Sequence, residues 1–78
     1  MYTILICDDD KDIVSALDIY LTSEGYQTVR AYNGKEALRA MDTHEIHLIL
    51  MDVMMPELDG IRTTAKLREG SNVPIILL

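Results

Sequence analysis

The chain has 78 residues, 49% of them hydrophobic, which suits one small domain over residues 1–78 and leaves no room for a second. Seven Lys and Arg against 13 Asp and Glu give a formal net charge of −6, the wrong sign for direct nucleic-acid binding by phosphate neutralisation. The single cysteine, Cys7, excludes an internal disulfide, and no apolar run approaches the roughly 18 residues of a membrane helix. The N-terminal stretch has no basic region before its apolar residues and meets acids by position 8, so a cytoplasmic protein is expected, with no membrane partner. A chain this short buries about 60% of its unfolded surface, and its core is expected to be marginal without a partner, a metal or further sequence.

In chain order, Ile4, Leu5, Ile6 and Cys7 form the first short apolar run, Cys7 reading as a small buried hydrophobe. Ile13, Leu17, Tyr20 and Leu21 then recur at helical spacing, with Asp10 or Asp12 as N-cap and Gly25 just past the end. Gln27 to Ala31 is a mixed strand that suits a sheet edge. Asn33-Gly34 opens a second helix with Ala37, Leu38 and Met41 on one face, and Leu48 to Met51 is a second apolar strand. A third helix is predicted from about Leu58 through Ile61, Thr64 and Leu67 to Gly70, its apolar stripe thin at Thr63 and Thr64. Ile75 to Leu78 closes the series as another apolar strand. Runs that are apolar throughout suit strands covered on both faces, so the order β-α-β-α-β-α-β predicts an open α/β parallel sheet with right-handed crossovers. Ligands of such sheets sit beyond the carboxyl ends of the strands where strand order reverses, which in a 2-1-3-4-5 arrangement lies between the first and third strands.

Asp8 and Asp9 follow the first strand and Asp52 ends the third, so these acids are expected to converge in one crevice. Three carboxylates in a cleft repel one another, and a divalent cation resolves the conflict. Mg²⁺ is a fitting ion because it takes about six oxygen ligands, commonly one or two carboxylates with waters and a phosphate oxygen. Such a site suits phosphoryl chemistry with Asp52 as nucleophile and Asp8 and Asp9 as metal holders. The bland reading is a solvated acidic turn whose last member caps a helix, with Asp52 a strand-end acid bonded to a turn.

Those acids, together with Asp52-Val53-Met54-Met55-Pro56-Glu57-Leu58-Asp59-Gly60 and Pro74-Ile75-Ile76-Leu77-Leu78, resemble the receiver domain of two-component response regulators over the whole chain. The resemblance implies a flavodoxin-like (CheY-like) open parallel sheet. It implies that Asp52 accepts a phosphoryl group from the phosphohistidine of a sensor histidine kinase, switching an output domain that in this family is often DNA-binding. It also implies a Mg²⁺ held by Asp9 directly, Asp8 through water, Asp52, and the backbone carbonyl of Met54. Thioether sulfur does not suit Mg²⁺, so neither the Met54 nor the Met55 side chain is a ligand. Pro56 and Gly60 are similar to the family's turn residues, Pro56 fixing the backbone and Gly60 relieving crowding as the third helix starts.

The family pattern continues with a fifth strand and two further helices, a Ser or Thr after the fourth strand and a Lys after the fifth. None of these lies within the 78 residues, and Lys11, Lys35 and Lys66 do not match that lysine. The 78 residues alone are therefore expected to phosphorylate poorly and not to switch. Ile75 to Leu78 would be an apolar edge, inviting a homodimer or strand-swapped dimer unless the chain is cut from a longer one. Two alternatives remain at this point. One is an interaction module of receiver-like fold that works without phosphorylation. The other is an aspartyl-phosphate phosphatase, which usually carries a second acid two residues after its nucleophile, where this chain has Met54. His44 and His47 read as solvated loop residues rather than metal ligands, and the four tyrosines as packing residues with polar tips.

Overall fold

Apolar residues at every position of the first strand follow from burial on both faces of a parallel sheet. In the computed structural model, which describes residues 1–55 and 59–78, strand β1 (Thr3–Cys7) is buried along its full length. Leu5 and Cys7 join a core beneath one set of helices, while Ile4 and Ile6 join a second core on the opposite face. β1 is followed by α1 (Lys11–Ser23), β2 (Gln27–Ala31), α2 (Gly34–Thr43), β3 (Leu48–Met51), α3 (Gly60–Gly70) and β4 (Ile75–Leu77). The strands form one sheet in the order β2-β1-β3-β4, all pairs parallel. This is the expected open flavodoxin-like arrangement, with β2 at an edge. The Pro56 turn and the predicted helix start near Leu58 lie outside the described residues.

One core packs the sheet against α2 and α3 through Ala37, Ala40 and Leu67, with Leu38 and Met41 partly buried against it. The other packs it against α1 through Val14, with Leu17 and Leu21 beside it. Leu17 and Leu21 of the predicted stripe therefore face the sheet, but Val14 takes the place expected of Ile13. Val14 is fully buried, whereas Ile13 and Tyr20 are exposed. Both stripes have helical spacing, so periodicity fixes the element and the sheet chooses its phase. In α3, Ile61 is exposed and the buried line is Gly60, Thr63 and Leu67. The thin stripe is completed by a fully buried threonine rather than a larger apolar residue.

Capping sets where each helix begins. Asp10 accepts hydrogen bonds from the Asp12 and Ile13 amides at the start of α1. Asn33 accepts from the Glu36 amide, while the Glu36 carboxylate accepts from Tyr32 N–H at 2.7 Å, a reciprocal arrangement close to a capping box. Asp59 caps α3 by accepting from the Arg62 amide. α1 ends at the Glu24 cap, and Gly25 follows with φ of 93°, a left-handed conformation that glycine adopts without steric cost. The two histidines separate. His44 is exposed, but His47 is half-buried, and its Nδ1 accepts a hydrogen bond from Thr3 N–H at 2.9 Å. The expectation of two solvated histidines holds only for His44, because His47 sits where an imidazole can extend the β1–β3 ladder.

Two contacts hold the elements that position the carboxyl end of the sheet. On α1, Asp18 accepts hydrogen bonds from Thr28 and Arg30 of edge strand β2 and from Thr22 of its own helix. These bonds, Thr28 first and then Arg30, hold the Asp18 carboxyl below the usual carboxylate range. The stabilisation is therefore present above the ordinary Asp value and lost as pH falls through the lowered one. Asp18→Ala is expected to cost about 1–2 kcal/mol in urea unfolding at neutral pH, the partial exposure of the pair limiting the loss, and less at acid pH. Gly60, the first residue of α3, lies against the chain leaving β3. An added Cβ would sit 2.6 Å from Val53 Cα and 2.7 Å from the Asp52 carbonyl carbon. Both are backbone atoms that cannot swing aside. Gly60→Ala is expected to destabilise the fold by about 1–3 kcal/mol and to shift the Asp52 backbone resonances, whereas Gly70→Ala, with open space around its Cβ, should shift neither.

Candidate functional site

The register of β1 on β3 decides which acids meet. Cys7 pairs with Met51, so the next residue of each strand, Asp8 and Asp52, emerges at the same edge of the sheet. The ladder continues for one further bond, with Asp52 N–H donating to the Cys7 carbonyl at 2.9 Å. On the other side of β1, Asp8 N–H donates to the Ala31 carbonyl at 3.1 Å. The backbones of both acids are thus held by the sheet itself. Carboxylate oxygens of Asp8, Asp9 and Asp52 lie within 4.8 Å of one another. This is the edge, between the first and third strands, where the strand order reverses.

The three consecutive aspartates have different work. Asp10 spends its carboxylate on the α1 cap. Asp8 is buried, and its Oδ1 accepts from Asp10 N–H at 2.9 Å, which fixes its rotamer. Asp9 is exposed. The last member of the acidic run therefore caps a helix, while carboxylates of its first two lie near that of Asp52. Asp52 is half-buried, and its Oδ1 accepts from Met54 N–H at 3.1 Å. That bond orients the carboxylate and still leaves it acceptor capacity toward the crevice.

Burial and like charge both act on Asp8. Burial pushes its carboxyl above the usual range, Asp52 and Asp9 push it the same way, and the hydrogen bond from Asp10 N–H opposes them. For a raised carboxyl the sign is unfavourable: ionising Asp8 costs stability as pH rises past the ordinary carboxylate value. Among the described residues no ion pair involves Asp8, Asp9 or Asp52. Lys11, the nearest cation in sequence, has its Nζ 5.6 Å from the centroid of the Tyr32 ring. A set of hard oxygen donors bearing excess negative charge fits a small divalent cation, and it does not fit a soft metal.

The two methionines after Asp52 part ways. Met54 is 80% exposed, while Met55 is buried with its Sδ 3.6 Å from Cys7 Sγ. Met55 thereby anchors the loop from β3 to the core beneath the acids. Cys7 is fully buried and its thiol is pushed up to about 12, first by burial and then by Asp8, Asp52 and Glu36. It remains a protonated packing group, as its apolar neighbours in sequence suggest. The contributions of Glu36 and Met55 were not singled out from the sequence. The Asn33-x-x-Glu36 spacing signals the first; nothing local signals the second, because Met54 and Met55 are chemically equivalent until the loop folds.

The comparisons with known proteins agree with this geometry. A family model described as the response regulator receiver domain matches residues 4–78. A probable transcriptional regulator, ycf27, of Cyanidium caldarium is 47% identical over 96% of this chain and 30% of its own length. The uncharacterized transcriptional regulatory protein YrkP of Bacillus subtilis is 43% identical over 99% of this chain and 33% of its own length. The chain thus spans about a third of the curated relatives it matches. Among solved structures, a Francisella response regulator receiver domain superposes with a TM-score of 0.93 at 37% identity, covering 99% of this chain and 64% of that one. TrrA of Thermotoga maritima, a response regulator determined in complex with Mg²⁺ and BeF, gives 0.92 at 33% identity, covering 99% and 68%. No helix among the described residues is long and apolar enough to cross a membrane. With its parallel β2-β1-β3-β4 sheet and three acids at the point of strand reversal, the chain belongs to the receiver domains of two-component response regulators.

Proposed function

We propose that the chain accepts a phosphoryl group on Asp52 from the phosphohistidine of a sensor histidine kinase in a Mg²⁺-dependent reaction. The carrying observation is the convergence of Asp8, Asp9 and Asp52 oxygens within 4.8 Å at one edge of the sheet. A carboxylate oxygen of Asp52 attacks phosphorus, the P–N bond to the donor imidazole breaks with its electron pair leaving on nitrogen, and an acyl phosphate forms. Asp9 and Asp8, with Asp52 and the Met54 carbonyl, would hold Mg²⁺. When bound, Mg²⁺ neutralises charge on the carboxylates and on the phosphoryl oxygens. The chain's own part is positional. The Met54 amide holds one Asp52 oxygen, the Asp10 amide holds Asp8, and Gly60 lets α3 start against the Asp52 backbone.

The Mg²⁺ and BeF in the TrrA complex support this reading by analogy, as does a receiver domain from a signal transduction histidine kinase of Syntrophus aciditrophicus, 36% identical over the whole of this chain and 61% of that one. The regulatory relatives suggest that the phosphorylated state controls a transcriptional output in the intact protein. The family match weighs against the phosphatase reading, and Met54 leaves no acid two residues beyond Asp52. An interaction module working without phosphorylation would show no metal dependence.

Incubation of the full chain with Mg²⁺ and a small phosphodonor such as acetyl phosphate is expected to add, slowly and in only part of the molecules, one hydroxylamine-labile phosphoryl group by intact mass. Asp52→Asn should abolish the addition. Asp9→Asn should raise the Mg²⁺ concentration needed by about tenfold or more. Equal labelling of Asp52→Asn, or labelling indifferent to chelation of Mg²⁺, would overturn the proposal.

A further inference from the structure

At the pole of the sheet opposite the acids, His47 grips Thr3 at two points. His47 N–H donates to the Thr3 carbonyl at 2.9 Å, and Thr3 N–H donates to His47 Nδ1 at 2.9 Å. The imidazole thus supplies the acceptor that a backbone carbonyl would supply in a regular ladder. An amide N–H can only donate, so Nδ1 must be unprotonated and the neutral ring carries its proton on Nε2. That nitrogen faces Glu45 Oε1 at 3.2 Å. The Tyr2 ring stacks on the imidazole with centroids 5.1 Å apart and 21° between planes, and its hydroxyl donates to the His47 carbonyl at 3.3 Å. Every polar edge of the ring is therefore engaged, and one engagement is possible only for a ring with Nδ1 free of a proton.

We infer that His47 is a proton-operated clasp joining the starts of β1 and β3, the two strands whose far ends carry Asp8 and Asp52. A second proton on the ring goes to Nδ1, where it meets the Thr3 N–H donor head-on, and the side-chain half of the clasp opens. The other titratable or charged groups about the ring do not supply a replacement acceptor for Thr3 N–H. Glu45, on the same loop, faces Nε2, which bears a proton in both states. Tyr2 lies over the ring face, and Tyr26, ahead of β2, meets Tyr2 edge-on. His44 has its Nδ1 on the Thr43 hydroxyl at 2.9 Å, and the amino-terminal Met1 lines the same open groove of about 700 Å³. Histidine is the side chain whose ordinary titration falls nearest physiological pH, so acidification is the perturbation that tests the clasp.

The test is amide hydrogen exchange of the full chain across the titration of His47, followed by the ring ¹⁵N shifts and corrected for intrinsic exchange rates. At neutral pH the ring should show an unprotonated Nδ1. As it protonates, protection of the Thr3 amide should fall about fivefold or more while that of Ile6, in the same strand, stays constant. His47→Asn, which keeps an acceptor but cannot titrate in this range, should hold Thr3 protection independent of pH. Unchanged Thr3 protection in the wild-type chain while its ring shifts report protonation would overturn the inference, as would equal losses in the wild-type chain and His47→Asn.

Discussion

Parallel pairing of β1 with β3 is the constraint on which the remainder depends. The pairing runs over four residue pairs between two helical layers and sets Cys7 opposite Met51. Once that register is fixed, the next residues, Asp8 and Asp52, have no choice but to emerge side by side. The apolar core thus brings together groups that repel, and the Asp8 carboxyl is raised first by its burial and then by Asp52 and Asp9. Among the described residues no ion pair offsets the three acids.

The surrounding devices serve the same arrangement. Asp10 removes itself from the crowd by capping α1, and its amide holds Asp8. Met55 reaches back to Cys7 and pins the loop beyond Asp52, while Gly60 permits α3 to begin against that loop's backbone. Edge strand β2 is tied to α1 by Asp18, which keeps Ala31 in place as acceptor for Asp8 N–H. At the far pole His47 closes the start of the same strand pair.

The layer order and the acidic edge were legible in the sequence because they rest on strong local signals. Ile4 to Cys7 and Leu48 to Met51 are apolar at every position, which only two-sided burial explains, and Asn33, Asp10 and Gly25 mark helix ends by their own backbone chemistry. Phase was legible only in part, Leu17 and Leu21 lying on the expected face of α1. Ile13 and Val14 are both apolar, and only the position of α1 over Ile4 and Ile6 decides that Val14 is the buried one. Thr63 thinned the apolar stripe of α3 in the sequence, yet with Gly60 and Leu67 it lies on the buried line of that helix. His47 was missed because its role is made by Thr3, 44 residues earlier, and no local spacing reports it. The acidic run was divided in part by sequence, Asp10 as a cap candidate and Asp8 and Asp9 toward Asp52, but not by burial, since only the fold makes Asp8 buried and Asp9 exposed.

The central claim is that repulsion among Asp8, Asp9 and Asp52 is relieved by a divalent cation. Thermal unfolding of the full chain over a Mg²⁺ titration tests it most directly, with no phosphodonor or kinase involved. Linkage predicts a saturable rise in stability, about 1.4 kcal/mol at tenfold over the dissociation constant, or several degrees in Tm for a domain of this size, with most of it absent in Asp9→Asn. A Tm indifferent to Mg²⁺, or one that rises equally in wild type and Asp9→Asn, would contradict the account.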